Sequence, residues 1–264
     1  MHENELKKMW GAGKQAVNGW LSIANTFTAE IMASQAYDAL TIDMQHGAID
    51  YPDALQMMQV MRGRGPTILA RVPWLDPGAI MKAMDGGAMG IVCPMINNRA
   101  QAEDYVSYMR YPPLGSRSSG PTRARFAYDG DYMSWANDQV LAMAQVETAE
   151  AMDNLDAICA TPGLDAVYVG PSDLSLGMSN GALPGGLDRE EPEMIAAIQR
   201  IVAAAHDAGI KAVLHTAAPD YAARGLDWGY DMVTLGSDVG YLAAGAGASL
   251  NELRGTSTLL HSGY

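Results

Sequence analysis

Four side chains suited to proton transfer and charge stabilisation, His46, Arg71, Glu147 and Asp173, each fall at or just past the end of a short apolar run. An imidazole can take and return a proton near neutral pH. In Asp43-Met44-Gln45-His46-Gly47, Asp43 is spaced to accept the imidazole N–H, orient the ring and raise its basicity, which suits a proton-transfer pair. The guanidinium of Arg71 suits a carboxylate or a ketone oxygen that gains negative charge, or else a buried ion pair within the protein. Glu147 and Asp173 end adjacent runs, so their carboxylates can converge; two such anions repel unless a cation lies between them. Without a Cys or His ligand nearby, they suit a hard octahedral ion, Mg2+ or Mn2+, although Glu and Asp also cap helices at such turns.

The runs that place these residues read as strands: Trp20 to Asn25, Leu40 to Met44, Thr67 to Val72, Met89 to Pro94, Val140 to Val146, Ala166 to Val169, Lys211 to His215 and Met232 to Leu235. They are short, apolar and bounded by turn residues, as strands buried on both faces are. Helical patterns lie between them, at Tyr51 to Met61, Pro77 to Met84, Arg99 to Met109, Ala149 to Cys159, Glu191 to Ala208 and Pro219 to Gly225. The intervals His46 to Arg71 (25 residues) and Glu147 to Asp173 (26) each fit one strand, one helix and two turns. A repeated βα unit over 264 residues predicts one α/β domain, a (β/α)8 TIM barrel spanning 1–264, with chemistry at the C-terminal rim of its strands. Two longer intervals, Tyr111 to Asp138 and Leu174 to Arg189, are expected to extend that same rim.

The formal charge of −13 argues against a nucleic acid or an anionic membrane as partner. Neither an apolar span of membrane length nor a signal-peptide pattern opens the chain, so a soluble, cytoplasmic protein is expected. Cys93 and Cys159 sit in apolar stretches and read as buried reduced thiols. Arg110, Arg117, Arg123 and Arg125 crowd one interval of a chain poor in cations. They admit two readings, ion pairs that anchor the loop or attraction of a small anionic substrate to the rim.

The segments around Asp43-Met44-Gln45-His46-Gly47, Ala70-Arg71-Val72-Pro73-Trp74, Arg110-Tyr111-Pro112-Pro113-Leu114-Gly115-Ser116-Arg117, Gln145-Val146-Glu147-Thr148 and Gly170-Pro171-Ser172-Asp173-Leu174 resemble, in order across the chain, the HpcH/HpaI family of class II pyruvate-type aldolases. The resemblance implies a divalent metal on Glu147 and Asp173, Mg2+ or Mn2+ with Co2+ as a further option. It implies a 2-oxo acid completing the coordination, Arg71 at the keto or enolate oxygen, and Asp43 with His46 in proton transfer. Gln145 and the backbone around Ser172 would line the same pocket. No Schiff-base lysine is required, and Lys14, Lys82 and Lys211 are not at strand ends. Gln45 stands where the family often has Glu before the His, and the passage Asn180-Gly181-Ala182-Leu183-Pro184-Gly185-Gly186 is shortened; both bear on acceptor preference.

Leu214 and His215 are expected to face the pocket, with Leu214 shaping the aldehyde site and His215 either lining it or contacting a polar acceptor. Trp20 is expected to wall the pocket from the first strand. The Ala- and Gly-rich run Val239 to Ala248 can pack closely, and by resemblance a C-terminal helix crosses to a neighbouring subunit in a homohexamer built as a trimer of dimers. The expected activity is reversible cleavage of a 4-hydroxy-2-oxo acid to pyruvate or hydroxypyruvate plus an aldehyde. The alternatives are decarboxylation of an oxaloacetate-type 2-oxo diacid at the same site, and a barrel that binds a 2-oxo acid without turnover.

Overall fold

The computed structural model describes residues 2–256. Eight parallel strands, β1 (Ala16–Leu21), β2 (Ala39–Asp43), β3 (Thr67–Arg71), β4 (Gly90–Cys93), β5 (Leu141–Val146), β6 (Ala166–Val169), β7 (Lys211–Thr216) and β8 (Met232–Ser237), close on themselves in sequence order, β8 pairing with β1. Around them lie α1 (Glu5–Gly11), α2 (Thr26–Ala33), α3 (Tyr51–Met61), α4 (Pro77–Gly86), α5 (Arg99–Met109), α6 (Ala124–Ala127) and α7 (Tyr132–Gln139). The series continues with α8 (Ala149–Asp153), α9 (Leu155–Cys159), α10 (Pro171–Met178), α11 (Pro192–Asp207), α12 (Pro219–Asp227) and α13 (Asp238–Arg254). This is the (β/α)8 barrel that the sequence predicts.

Two layers of apolar burial hold it. Outward-facing strand residues such as Ile42, Ala70, Val146 and Leu214 pack on the helices, and the strands are buried along almost their whole length. Inward-facing Ala39, Leu69, Val92, Leu141, Met143 and Val213 fill the barrel. The N-terminal end of the barrel is closed by α1. Asn4 caps that helix by accepting from the Leu6 and Lys7 amides and donates to the carbonyls of Met89 and Gln139, while Leu6 and Trp10 enter the interior cluster.

Three expectations are corrected. The first strand runs Ala16–Leu21 rather than Trp20 to Asn25: Asn25 is the N-cap of α2, its side chain accepting from the Phe27 and Thr28 amides. The Ala149 to Cys159 helix is two short ones, broken at Asn154, whose side chain donates to the carbonyls of Asn97 and Glu150. The interval from Tyr111 to Asp138 does not extend the catalytic rim. It follows α5 and precedes β5, and a helix of a βα unit returns the chain to the N-terminal end of the strands, so the interval lies on the opposite face. The Leu174 to Arg189 interval follows β6 and does lie at the rim, beginning within α10.

The two thiols behave as expected. Cys93 and Cys159 are buried and free, and burial pushes both well above the usual thiol range. Lys211 opens β7 at the N-terminal face and pairs with Asp231 at 2.7 Å, away from the rim.

Candidate active site

Asp43 and Arg71 end neighbouring strands in direct register. The Arg71 Nε donates to Asp43 Oδ1 and Nη2 to Oδ2, both at 2.8 Å, with both side chains almost wholly buried. The Asp43 carboxylate also accepts the backbone N–H of Gln45 (3.1 Å) and of His46 (3.3 Å) and the Trp20 indole N–H (3.3 Å). Burial pushes the Asp43 carboxyl up, but the Arg71 guanidinium and these amides outweigh it and hold the group below the usual carboxylate range. Asp43 therefore fixes Arg71 and, through the backbone N–H of His46 and not the imidazole N–H that the spacing suggested, the turn that carries His46, which stands exposed at the mouth. Only two of the five guanidinium N–H groups are used by Asp43. Gly47 closes the turn where any Cβ would lie 2.2 Å from the Asp43 carbonyl oxygen.

Glu147 follows β5 and is 1% exposed. Its Oε1 accepts the Met95 amide at 2.8 Å, and its Oε2 accepts from Gln145 Nε2. Burial, with the negative charge of Asp173 adding, pushes its carboxyl up to about 7. Asp173 lies in the first turn of α10, so the two carboxylates do converge electrostatically. Gln145 Oε1 is buried without a hydrogen-bond partner. Among the described residues no cluster of three or more His, Cys, Asp or Glu could hold a metal, and no side chain caps the N-terminus of α10. Ser172 lies in the same first turn, where its Oγ accepts the Gly186 amide at 3.1 Å and ties the Gly-rich passage over the helix start.

Two positions here escaped the sequence reading. Gly170 precedes α10 at a φ of −102°, so freedom of rotation is not what it supplies. It supplies room: a Cβ there would sit 2.4 Å from Glu147 Oε2 and 2.6 Å from Gln145 Nε2. Met95 adopts a left-handed φ of 57°, unusual for a side-chain-bearing residue, and aims its amide at Glu147. Neither role carries a signal in residue type alone.

Trp20 lies in the barrel interior, 2% exposed, with the Arg71 Cζ 4.7 Å from its ring centre and the His215 ring edge-on at 4.5 Å. His215 is 8% exposed, and burial, with Arg71 nearby, lowers its pKa to about 3. Leu214 is placed differently from the expectation. Successive strand residues point to opposite faces, so Leu214 and His215 cannot both face the pocket. Leu214 packs into the outer layer, its Cδ2 against Gly225 of α12, and does not line the site.

The arginine cluster resolves toward anchoring. Arg110 donates to the carbonyls of Val140 and Gly163 and pairs with Asp165 at 2.7 Å. Arg117 pairs with Asp85 at 2.7 Å and meets the Tyr132 hydroxyl, and Arg123 donates to the carbonyls of Gly86 and Met58. Apart from Tyr132, which begins α7, these partners lie in the last turns of helices or just before strands, so the three staple the loop to the N-terminal face and do not draw substrate to the rim. Arg125 stacks on exposed Phe126.

The profile of the HpcH/HpaI aldolase/citrate lyase family matches residues 17–244. The chain belongs to this family. It is 36% identical over 251 residues to a hydroxypyruvate/pyruvate aldolase of Rhizorhabdus wittichii, covering 95% of this chain and 99% of that one. It is 34% identical over 249 residues to a 4-hydroxy-2-oxo-heptane-1,7-dioate aldolase of Salmonella dublin, covering 93% of each. An HpcH/HpaI aldolase/citrate lyase family protein from Burkholderia cenocepacia superposes with a TM-score of 0.87 at 30% identity, covering 95% of this chain and 99% of that one. The protein is thus an enzyme of the aldolase and lyase type, from a family generally dependent on a divalent metal. No helix among the described residues is long and apolar enough to cross a membrane.

Proposed function

We propose that this enzyme reversibly cleaves 4-hydroxy-2-oxo acids to pyruvate or hydroxypyruvate plus an aldehyde, using Mg2+ or Mn2+ held by Glu147 and Asp173. The observation that carries the reading is geometric: the Glu147 carboxyl is almost wholly buried, held by the Met95 amide and Gln145, and close enough to Asp173 to feel its charge. Two carboxylates so placed are relieved by a cation between them. The donor set fits: hard oxygens only, two carboxylates and the unpaired Gln145 Oε1, leaving positions for water and a 2-oxo acid.

When bound, the ion supplies Lewis-acid stabilisation of negative charge on the 2-oxo oxygen. The chain's own groups do the rest. The uncapped start of α10 at Ser172 receives the substrate carboxylate, as helix N-termini do. His46 takes the proton of the C4 hydroxyl, the C3–C4 bond breaks, and its electron pair moves toward the C2 oxygen, where Arg71 meets the developing charge. The aldehyde leaves and C3 takes up a proton. Asp43 holds Arg71 side-on and the His46 backbone in place, so both act from a fixed frame. Trp20 supports the guanidinium from below.

In this reading the enzyme acts in the cytoplasm on small molecules, binds no nucleic acid, and forms a homohexamer in which α13 exchanges between subunits. The support is the helix itself: of its 17 residues only Asp238 is buried, while Tyr241, Leu242, Leu250 and Leu253 are exposed. The test is aldehyde release from 4-hydroxy-2-oxo acids with and without EDTA. Wild type is expected to be active only with a divalent ion, and Glu147→Ala and Asp173→Ala to be inactive with it. Cleavage that survives complete metal removal contradicts the proposal.

A further inference from the structure

Beneath the rim, five polar side chains from five strands form one buried hydrogen-bonded file. The Thr41 hydroxyl donates to Asn18 Oδ1 (3.0 Å), and Asn18 Nδ2 donates to Thr234 Oγ1 (2.9 Å). The Thr234 hydroxyl meets the Tyr168 hydroxyl at 2.7 Å, and that hydroxyl meets His215 Nδ1 at 2.9 Å. Counting protons gives the file a direction. Each hydroxyl has one proton to give. If Tyr168 gave its proton to Thr234, the Thr234 proton would face no acceptor among the described residues, in a place with no solvent access. Turning the Asn18 amide over would strand the Thr41 proton in the same way. The arrangement that satisfies every group runs from Thr41 through Asn18 and Thr234 to Tyr168, which donates to His215 Nδ1.

His215 is then a neutral imidazole with its proton on Nε2. The two ring nitrogens point in nearly opposite directions, so with Nδ1 turned down to Tyr168, Nε2 turns toward the rim. That nitrogen has no hydrogen-bond partner among the described residues. The low pKa caused by burial keeps the ring neutral across the working pH range. Glu147 and Asp173 occupy the β5 and β6 side of the mouth, and Arg71 and His46 the β2 and β3 side. The arc β7–β8–β1 between them, carrying His215 and Trp20, remains for the acceptor half of the substrate.

We propose that His215 is a specificity-determining residue, held as the Nε2–H form by the Thr41–Asn18–Thr234–Tyr168 file, which donates to an oxygen next to the carbonyl of the acceptor aldehyde. This makes the site selective for α-hydroxy aldehydes over alkyl aldehydes. The proposal rests on the aldolase reading above. A neutral donor left unpaired by an alkyl acceptor penalises that acceptor, which is how polar pockets discriminate.

The experiment measures kcat/KM for glycolaldehyde and for propanal in aldol addition with pyruvate. His215→Phe is expected to lower the glycolaldehyde-to-propanal ratio about tenfold or more. Tyr168→Phe, which removes the proton given to Nδ1, is expected to lower it less, and His215→Gln to restore part of it. An unchanged ratio, or equal loss of both substrates, overturns the proposal. In parallel, 15N NMR of histidine-labelled wild type is expected to show His215 protonated at Nε2 and not at Nδ1 from about pH 5.5 to 8. Protonation at Nδ1 overturns it independently of turnover. Wild type that condenses no aldehyde refutes the aldolase reading instead, and the NMR result still stands on its own.

Discussion

Burial holds the Glu147 carboxyl protonated up to about pH 7, against an ordinary 4.5, and the charge of Asp173 reinforces the shift. The folded state thus keeps a proton that the unfolded chain releases. Its contribution to stability is full below pH 4.5 and is lost as pH rises through about 7, a swing of about 3 kcal/mol. Metal-free protein is therefore expected to lose melting temperature between about pH 5 and 8, with Glu147→Gln flattening the slope and Mn2+ restoring stability most at the high end. A pH-independent melting curve for the metal-free wild type contradicts this account of Glu147. Arg71 and Asp43 make a different prediction. Removing one partner of a buried pair strands the other, so Arg71→Ala is expected to cost about 3–5 kcal/mol in chemical denaturation and to weaken binding of 2-oxo acids. His46 is exposed at the mouth, so His46→Ala is expected to impair cleavage while leaving stability and metal affinity near wild type.

At the level of elements, Gly170 is where β6 gives way to α10 and lets Glu147 and Gln145 approach the turn. Gly170→Ala introduces no backbone strain at a φ of −102°, yet its Cβ meets both side chains, so metal affinity measured by calorimetry is expected to fall at least tenfold with the fold retained. Leu214→Ala works in the opposite sense: the side chain packs on α12, so the expected loss is about 2–5 kcal/mol of stability with acceptor preference unchanged. These two positions show what was legible in the sequence. Asp43, Arg71 and Glu147 could be placed because fully buried strands read as apolar runs, and a charged residue at such an end stands out. β1 was misplaced because Asn18 and Gly19 interrupt its apolar pattern, and Asn18 is polar for the sake of the barrel-spanning file. The face of Leu214 follows from the pleat, and the face of the Tyr111 to Asp138 interval from counting whether a helix or a strand precedes it; neither is written in residue type. The supporting amide of Met95 depends on a left-handed backbone at a residue that ordinarily avoids it.

For the whole molecule, α13 is long and leaves its apolar side chains uncovered by the other described residues. A lone helix of this length gains little stability without tertiary packing, so a second copy is the economical cover. A chain ending at Gly240 is expected to show a smaller assembly mass in light scattering than the full-length protein; an unchanged mass contradicts the proposed helix exchange. The barrel itself brings carboxylates, guanidinium and imidazole from four separate βα units to one mouth, where their proposed role is to stabilise the charge formed at C3 of a 2-oxo acid. The most direct test is incubation with pyruvate in D2O, following the methyl signal by proton NMR with Mg2+ or Mn2+ and again with EDTA. Metal-dependent loss of the signal is expected in wild type and none in Asp173→Ala. Absence of exchange with every divalent ion, or exchange indifferent to EDTA, would contradict it.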